Sequence, residues 1–81
     1  NIPNPVSSTT YINYQLQERT KVTLKVFDLQ GKEVSTLIND IQNEGAHVVP
    51  FDVTGLQDGI YFYSLEAGKY RETKKLVVFK L

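Results

Sequence analysis

Lys21-Val22-Thr23-Leu24-Lys25-Val26-Phe27-Asp28 is the stretch that decides the fold. Val22, Leu24 and Val26 alternate with Lys21, Thr23 and Lys25. A period of two puts the first set on one face of an extended strand and the second on the other. β-Branched residues favour such a pleated, half-buried surface. The stretch predicts a strand with an apolar face turned to a core and a polar face turned to water.

Upstream, Thr9–Leu16 repeats the pattern, with Ile12, Tyr14 and Leu16 opposite Tyr11, Asn13 and Gln15. A polar break, Gln17–Thr20, separates the two strands. Downstream, Asp28-Leu29-Gln30-Gly31 has turn chemistry, because Asp bonds nearby backbone and Gly tolerates positive φ. A third strand is expected over Glu33–Ile38 with Val34 as its inward anchor, followed by a polar loop from Asn39 to Gly45. The next strand, His47–Asp52, contains Pro50, which donates no ladder hydrogen bond and so assigns this strand to a sheet edge. Thr54–Gly59 is a dense turn region. Ile60–Glu66 is apolar on both faces and reads as a central strand, and Ala67-Gly68-Lys69 is short enough for a hairpin into a last strand, Tyr70–Lys80. Short strands at intervals of about 8–12 residues predict an all-β, immunoglobulin-like sandwich of about seven antiparallel-type strands. We read residues 1–81 as a single domain, with residues 1–8, including Pro3-Asn4-Pro5, as an extended lead-in after a linker. The start at Asn1, with no basic or apolar leader, suggests a segment of a longer polypeptide.

Composition narrows the function classes. The 81 residues carry nine Lys and Arg against nine Asp and Glu, with no Cys, Met or Trp. No disulfide framework or thiolate metal site can form. The longest apolar runs, Ile60–Tyr63 and Leu76–Phe79, fall far short of the roughly 20 residues of a membrane-spanning helix. A neutral chain also lacks the basic excess usual for nucleic-acid binding. At about 0.05–0.15 kcal/mol per residue, a chain this short has a stability of roughly 4–12 kcal/mol. That margin must come from the nine Phe and Tyr and the aliphatic residues.

Candidate chemistry is sparse. Leu56-x-x-Gly59-x-Tyr61 matches the corner of immunoglobulin-like sandwiches, in which a tyrosine at the start of a late strand bonds upstream backbone. This is a structural reading for Leu56, Gly59 and Tyr61. His47 is the sole histidine and leaves most of a zinc site unfilled, so a packed imidazole is the simpler assignment. Four serines lack a nucleophile elbow, and Asp52 and Asp58 sit at turns without calcium-loop spacing. No catalytic residues, metal ligands or cofactors are expected. Tyr11, Phe27, Phe62 and Tyr70 are candidates for a sugar-stacking platform, which would make the chain a carbohydrate-binding or other accessory module of a secreted enzyme. Charge is uneven: residues 69–81 carry Lys69, Arg71, Lys74, Lys75 and Lys80 against Glu72 alone. A basic last strand can steer an acidic partner or protect a sheet edge from unwanted pairing.

Taken in order, Pro3-Asn4-Pro5, Lys21–Asp28, Leu29-Gln30-Gly31-Lys32-Glu33-Val34, Gly45-x-His47-x-Val49-x-Phe51-Asp52, Gly55-Leu56-x-x-Gly59-Ile60-Tyr61-Phe62-Tyr63 and Glu72–Val78 form a distinctive series. The series resembles the type A C-terminal sorting domain of type IX secretion system cargo in Bacteroidota, over essentially residues 1–81. Part of it is shared with the immunoglobulin-like domain of flagellar hook-capping proteins. The resemblance implies a non-catalytic β-sandwich that directs a secreted or cell-surface protein, in transit through the periplasm, across the outer-membrane translocon. It implies the type IX secretion machinery, a sortase-like peptidase and an upstream cargo domain as partners. It places translocon recognition on Gly59, Tyr61, Lys74, Lys75, Leu76, Val78 and Lys80, and the domain boundary at Pro3, Asn4 and Pro5.

Overall fold

A computed structural model describes residues 8–80. Six strands follow one another: β1 (Thr9–Leu16), β2 (Thr20–Phe27), β3 (Glu33–Gln42), β4 (Gly45–Asp52), β5 (Gly59–Ala67) and β6 (Tyr70–Val78). All pair antiparallel, in a two-stranded sheet β1-β4 and a four-stranded sheet β3-β2-β5-β6. The chain is therefore all-β and sandwich-like, with six strands rather than about seven among the described residues. The lead-in motif Pro3-Asn4-Pro5 lies outside the described residues.

The alternation in β2 seeds the core. Val22, Leu24 and Val26 are fully buried, while Lys21, Thr23 and Lys25 face away. Ile12 and Leu16 of β1 and Val49 of β4 pack onto Val22, Leu24 and Leu65. Phe51 and Val53 pack onto Val26, Tyr61 and Val78 at the other end. Each such fully buried side chain contributes roughly 1.5–3 kcal/mol relative to exposure. Pro50 sits where the expectation put it, in a two-stranded sheet whose strands are both edges, and β5 is an interior strand.

β3 departs from the sequence reading. It runs on to Gln42, through residues expected to form a loop, and Val34 is exposed instead of anchoring the strand. Two register shifts explain this. Leu24 pairs with Ile38 but Lys25 with Thr36, and Val26 pairs with Ser35 but Phe27 with Glu33. Leu37 and Val34 are the extra residues, and each bulge resets which side chains point inward. Leu37 and Ile38 pack against the core in place of Val34.

The two sheets are unequal in width. At about 5 Å per strand, two strands cover only about half of a four-stranded sheet. Tyr70, Glu72 and Lys74 of β6 share the core-facing side, because they pair with Ala67, Leu65 and Tyr63. Among the described residues no strand lies over them, and they border an open groove of about 1100 Å³ whose far wall is Asn13–Leu16 of β1.

Candidate recognition surface

Among the described residues, β6 is held by one neighbour. All nine of its residues pair with β5 in unbroken register, from Tyr70 opposite Ala67 to Val78 opposite Gly59. The hairpin between them closes through Gly68, whose φ of +62° suits the first central position of a primed turn. The other edge of β6 is the rim of the sheet, where backbone N–H and C=O groups have no strand partner among the described residues.

The alternation along β6 sorts its candidate residues. Lys74 and Leu76 point to the core side; Lys75 and Val77 point to the outer face of the sheet. Lys74 lies 3.5 Å from Glu72, and Arg71 lies 3.1 Å from Glu66. Hydrogen bonding to Glu72 pushes the Tyr70 hydroxyl above its ordinary pKa, with a smaller push from burial. Lys75 has no ion-pair or hydrogen-bond partner among the described residues. Leu76 is half-buried against the core and Val78 is buried.

The turn before β5 carries the other candidates. The Tyr61 hydroxyl donates to the carbonyl of Gln57 at 2.8 Å, and Leu56 packs beside the ring's cluster. Gly59, with φ of +154°, lets the chain leave this turn in a conformation that side chains with a Cβ rarely adopt. Lys80 closes the same turn from the far end of the chain. Its ammonium donates to the carbonyls of Thr54 (3.0 Å), Val53 (3.4 Å) and Leu56, and its backbone N–H donates to Asp58 Oδ1 at 3.1 Å. This carbonyl cage has no local sequence signal, since its partners lie more than twenty residues upstream. At the base of the turn, the Thr54 hydroxyl and then its N–H hold the Asp52 carboxyl below the usual aspartate range.

The structure thus divides the sequence-named residues. Gly59, Tyr61, Leu56, Leu76, Val78 and Lys80 build the corner and its core, whereas Lys74 and Lys75 are exposed on opposite faces of the rim strand. The four rings considered for sugar stacking do not converge. Tyr11 is on the smaller sheet, Phe27 and Phe62 pair on the outer face of the larger one, and Tyr70 borders the groove. His47 stacks on Tyr14, with centroids 5.0 Å apart, and its Nε2 lies 2.7 Å from the Asn43 carbonyl oxygen. Among the described residues no three His, Cys, Asp or Glu side chains are grouped to hold a metal ion.

Residues 2–79 match a family model described as a secretion system C-terminal sorting domain. No curated protein and no solved structure matches the chain.

Proposed function

The chain belongs to the family of secretion system C-terminal sorting domains, and from that premise we propose that β6 is the element its translocon reads. A tail of this family is the sorting signal for type IX secretion and marks its protein for the cell surface or release. It engages the type IX secretion machinery. In our reading the chain is an address without catalytic function, a single folded unit behind an upstream cargo domain. A sortase-like peptidase removes it ahead of the Pro3-Asn4-Pro5 boundary. The likeness to the hook-capping domain reflects a shared sandwich put to a different use.

One observation carries the assignment to β6. It is a rim strand in unbroken register, with Arg71, Lys74 and Lys75 along it and the corner of Leu56, Gly59 and Tyr61 fixing its far end through β5. An unpaired, regular edge is what a partner strand can extend, and the cations give the encounter direction. Gly59, Tyr61, Leu76, Val78 and Lys80 serve recognition by holding that strand in place. The test is export of a reporter fused to the whole chain, in a type IX-competent cell. Lys74→Glu with Lys75→Glu is expected to abolish export while leaving the circular dichroism and thermal midpoint of the purified chain unchanged. Normal export of the folded double variant refutes the assignment.

A further inference from the structure

The outer face of the four-stranded sheet is polar over most of its area, with a lone exposed Ile41 beside Lys21 towards one end and several adjoining apolar side chains at the other. Phe27, Phe62 and Lys75 form one row across β2, β5 and β6, and Ile60 pairs with Val77 in the next row. Ile60 is 42% exposed, Val77 61%, and Phe79, just past the end of β6, 73%. None of these side chains belongs to either core cluster, and Phe27, Phe62, Ile60 and Val77 face the side of the sheet away from the core. Adjoining exposed apolar side chains of this kind often mark an interaction site.

The charges around the patch identify what binds. The outer face carries four cations, Lys21, Lys25, Arg71 and Lys75. Its two carboxylates, Glu33 and Glu66, are already ion-paired with Lys25 and Arg71. Lys75, beside Phe62 on the rim strand at the border of the patch, is left uncompensated among the described residues. The complementary surface is therefore apolar at its centre with carboxylates at its rim, the general anatomy of a protein interface with its charges reversed.

We propose that this patch docks a protein partner whose apolar surface is bordered by carboxylates, so that β6 is read across its outer face as well as along its rim. The proposal rests on the sorting function stated above and deepens it. Lys74 faces the groove, is paired with Glu72, and contributes nothing to this contact.

The experiment uses the whole chain fused to an exported reporter in a type IX-competent cell. Val77→Ser with Phe79→Ser is the patch variant. Tyr11→Ser with Val48→Ser is the control, exposed to a similar degree on the smaller sheet. We expect the patch variant to lose about tenfold or more of reporter export and the control to stay within about twofold. Both purified chains should keep thermal midpoints within about 3 °C of the unsubstituted chain. Lys75→Glu should also lower export, and Lys75→Arg should restore it. Export of the patch variant at the unsubstituted level overturns the docking face, and indifference to Lys75→Glu overturns the carboxylate rim. Concentration-dependent dimerisation of the unsubstituted chain, abolished in the patch variant, assigns the face to a second copy and overturns the partner's stated chemistry. Failure of the unsubstituted fusion to be exported overturns the sorting function and the docking face with it, whereas loss of export by the patch variant alone supports the docking face.

Discussion

The two rim strands of the larger sheet, β3 and β6, differ in almost every property that governs pairing with another chain. β3 is broken by two bulges, carries Glu33 and Asp40 and no cation, and has a carboxylate immobilised by the Thr36 hydroxyl at 2.6 Å. That bond, followed by Lys25, holds the Glu33 carboxyl below its ordinary range. β6 has no bulge, carries three cations against Glu72, and ends in a buried Val78 beside the Lys80 cage. Bulges twist an edge out of register with any incoming strand, whereas a regular edge remains a template. The contrast teaches that, among its described residues, this small sandwich protects one rim and leaves the other open, and that the open rim is the one packed over the Tyr61 corner.

The comparison can be attacked at several depths. Phe51→Ala strikes hardest, because Phe51 is buried with Tyr61 and Val78 at the β6 end. A loss of about 3–5 kcal/mol is expected by chemical denaturation, a large share of so small a domain's stability. Hydrogen exchange in that variant should rise first in β5 and β6; earlier opening of β3 would break the asymmetry. Lys80→Met comes next, since it leaves the carbonyls of Val53, Thr54 and Leu56 without their charged donor. It should cost about 1.5–3 kcal/mol, read as a lower denaturation midpoint with an unchanged slope. Tyr61→Phe removes only the hydroxyl bond to Gln57 and should cost about 0.5–1.5 kcal/mol by the same measurement. Smallest of all, Asp40→Lys makes the bulged rim more basic, and reporter export should not change. A gain or loss of export there would mean that charge at either rim is read, and the distinction between them would lapse.

Much of this arrangement was legible in the residues, and the exceptions have a common cause. β1 is found at the predicted bounds and β2 within one residue of them, because each buries one face and alternation then leaves no freedom. Pro50 marked an edge because a missing N–H has the same consequence in any sheet. Val34 was misassigned because a bulge inserts a residue, and alternation read from one strand does not register an insertion made against its neighbour. The Asn39–Gln42 extension was missed because a rim strand beyond the core needs no apolar residue to persist. At the candidate surface, Lys74 and Lys75 read as one basic pair in sequence, although adjacent strand residues always point to opposite faces. The cage around Lys80 was illegible for a different reason: it joins two segments far apart in the chain, and neither carries a pattern that requires the other.

The order of strand pairing also bears on when the address becomes readable. β2–β3 and β5–β6 join chain neighbours, but β1 must wait for β4 and β2 for β5. Closure of such distant partners is slow compared with hairpin formation. An extended chain therefore has its hairpins within easy reach before its sandwich is made. The β5–β6 hairpin can close early, but its outer edge becomes the rim of a fixed four-stranded sheet only once β5 has docked on β2.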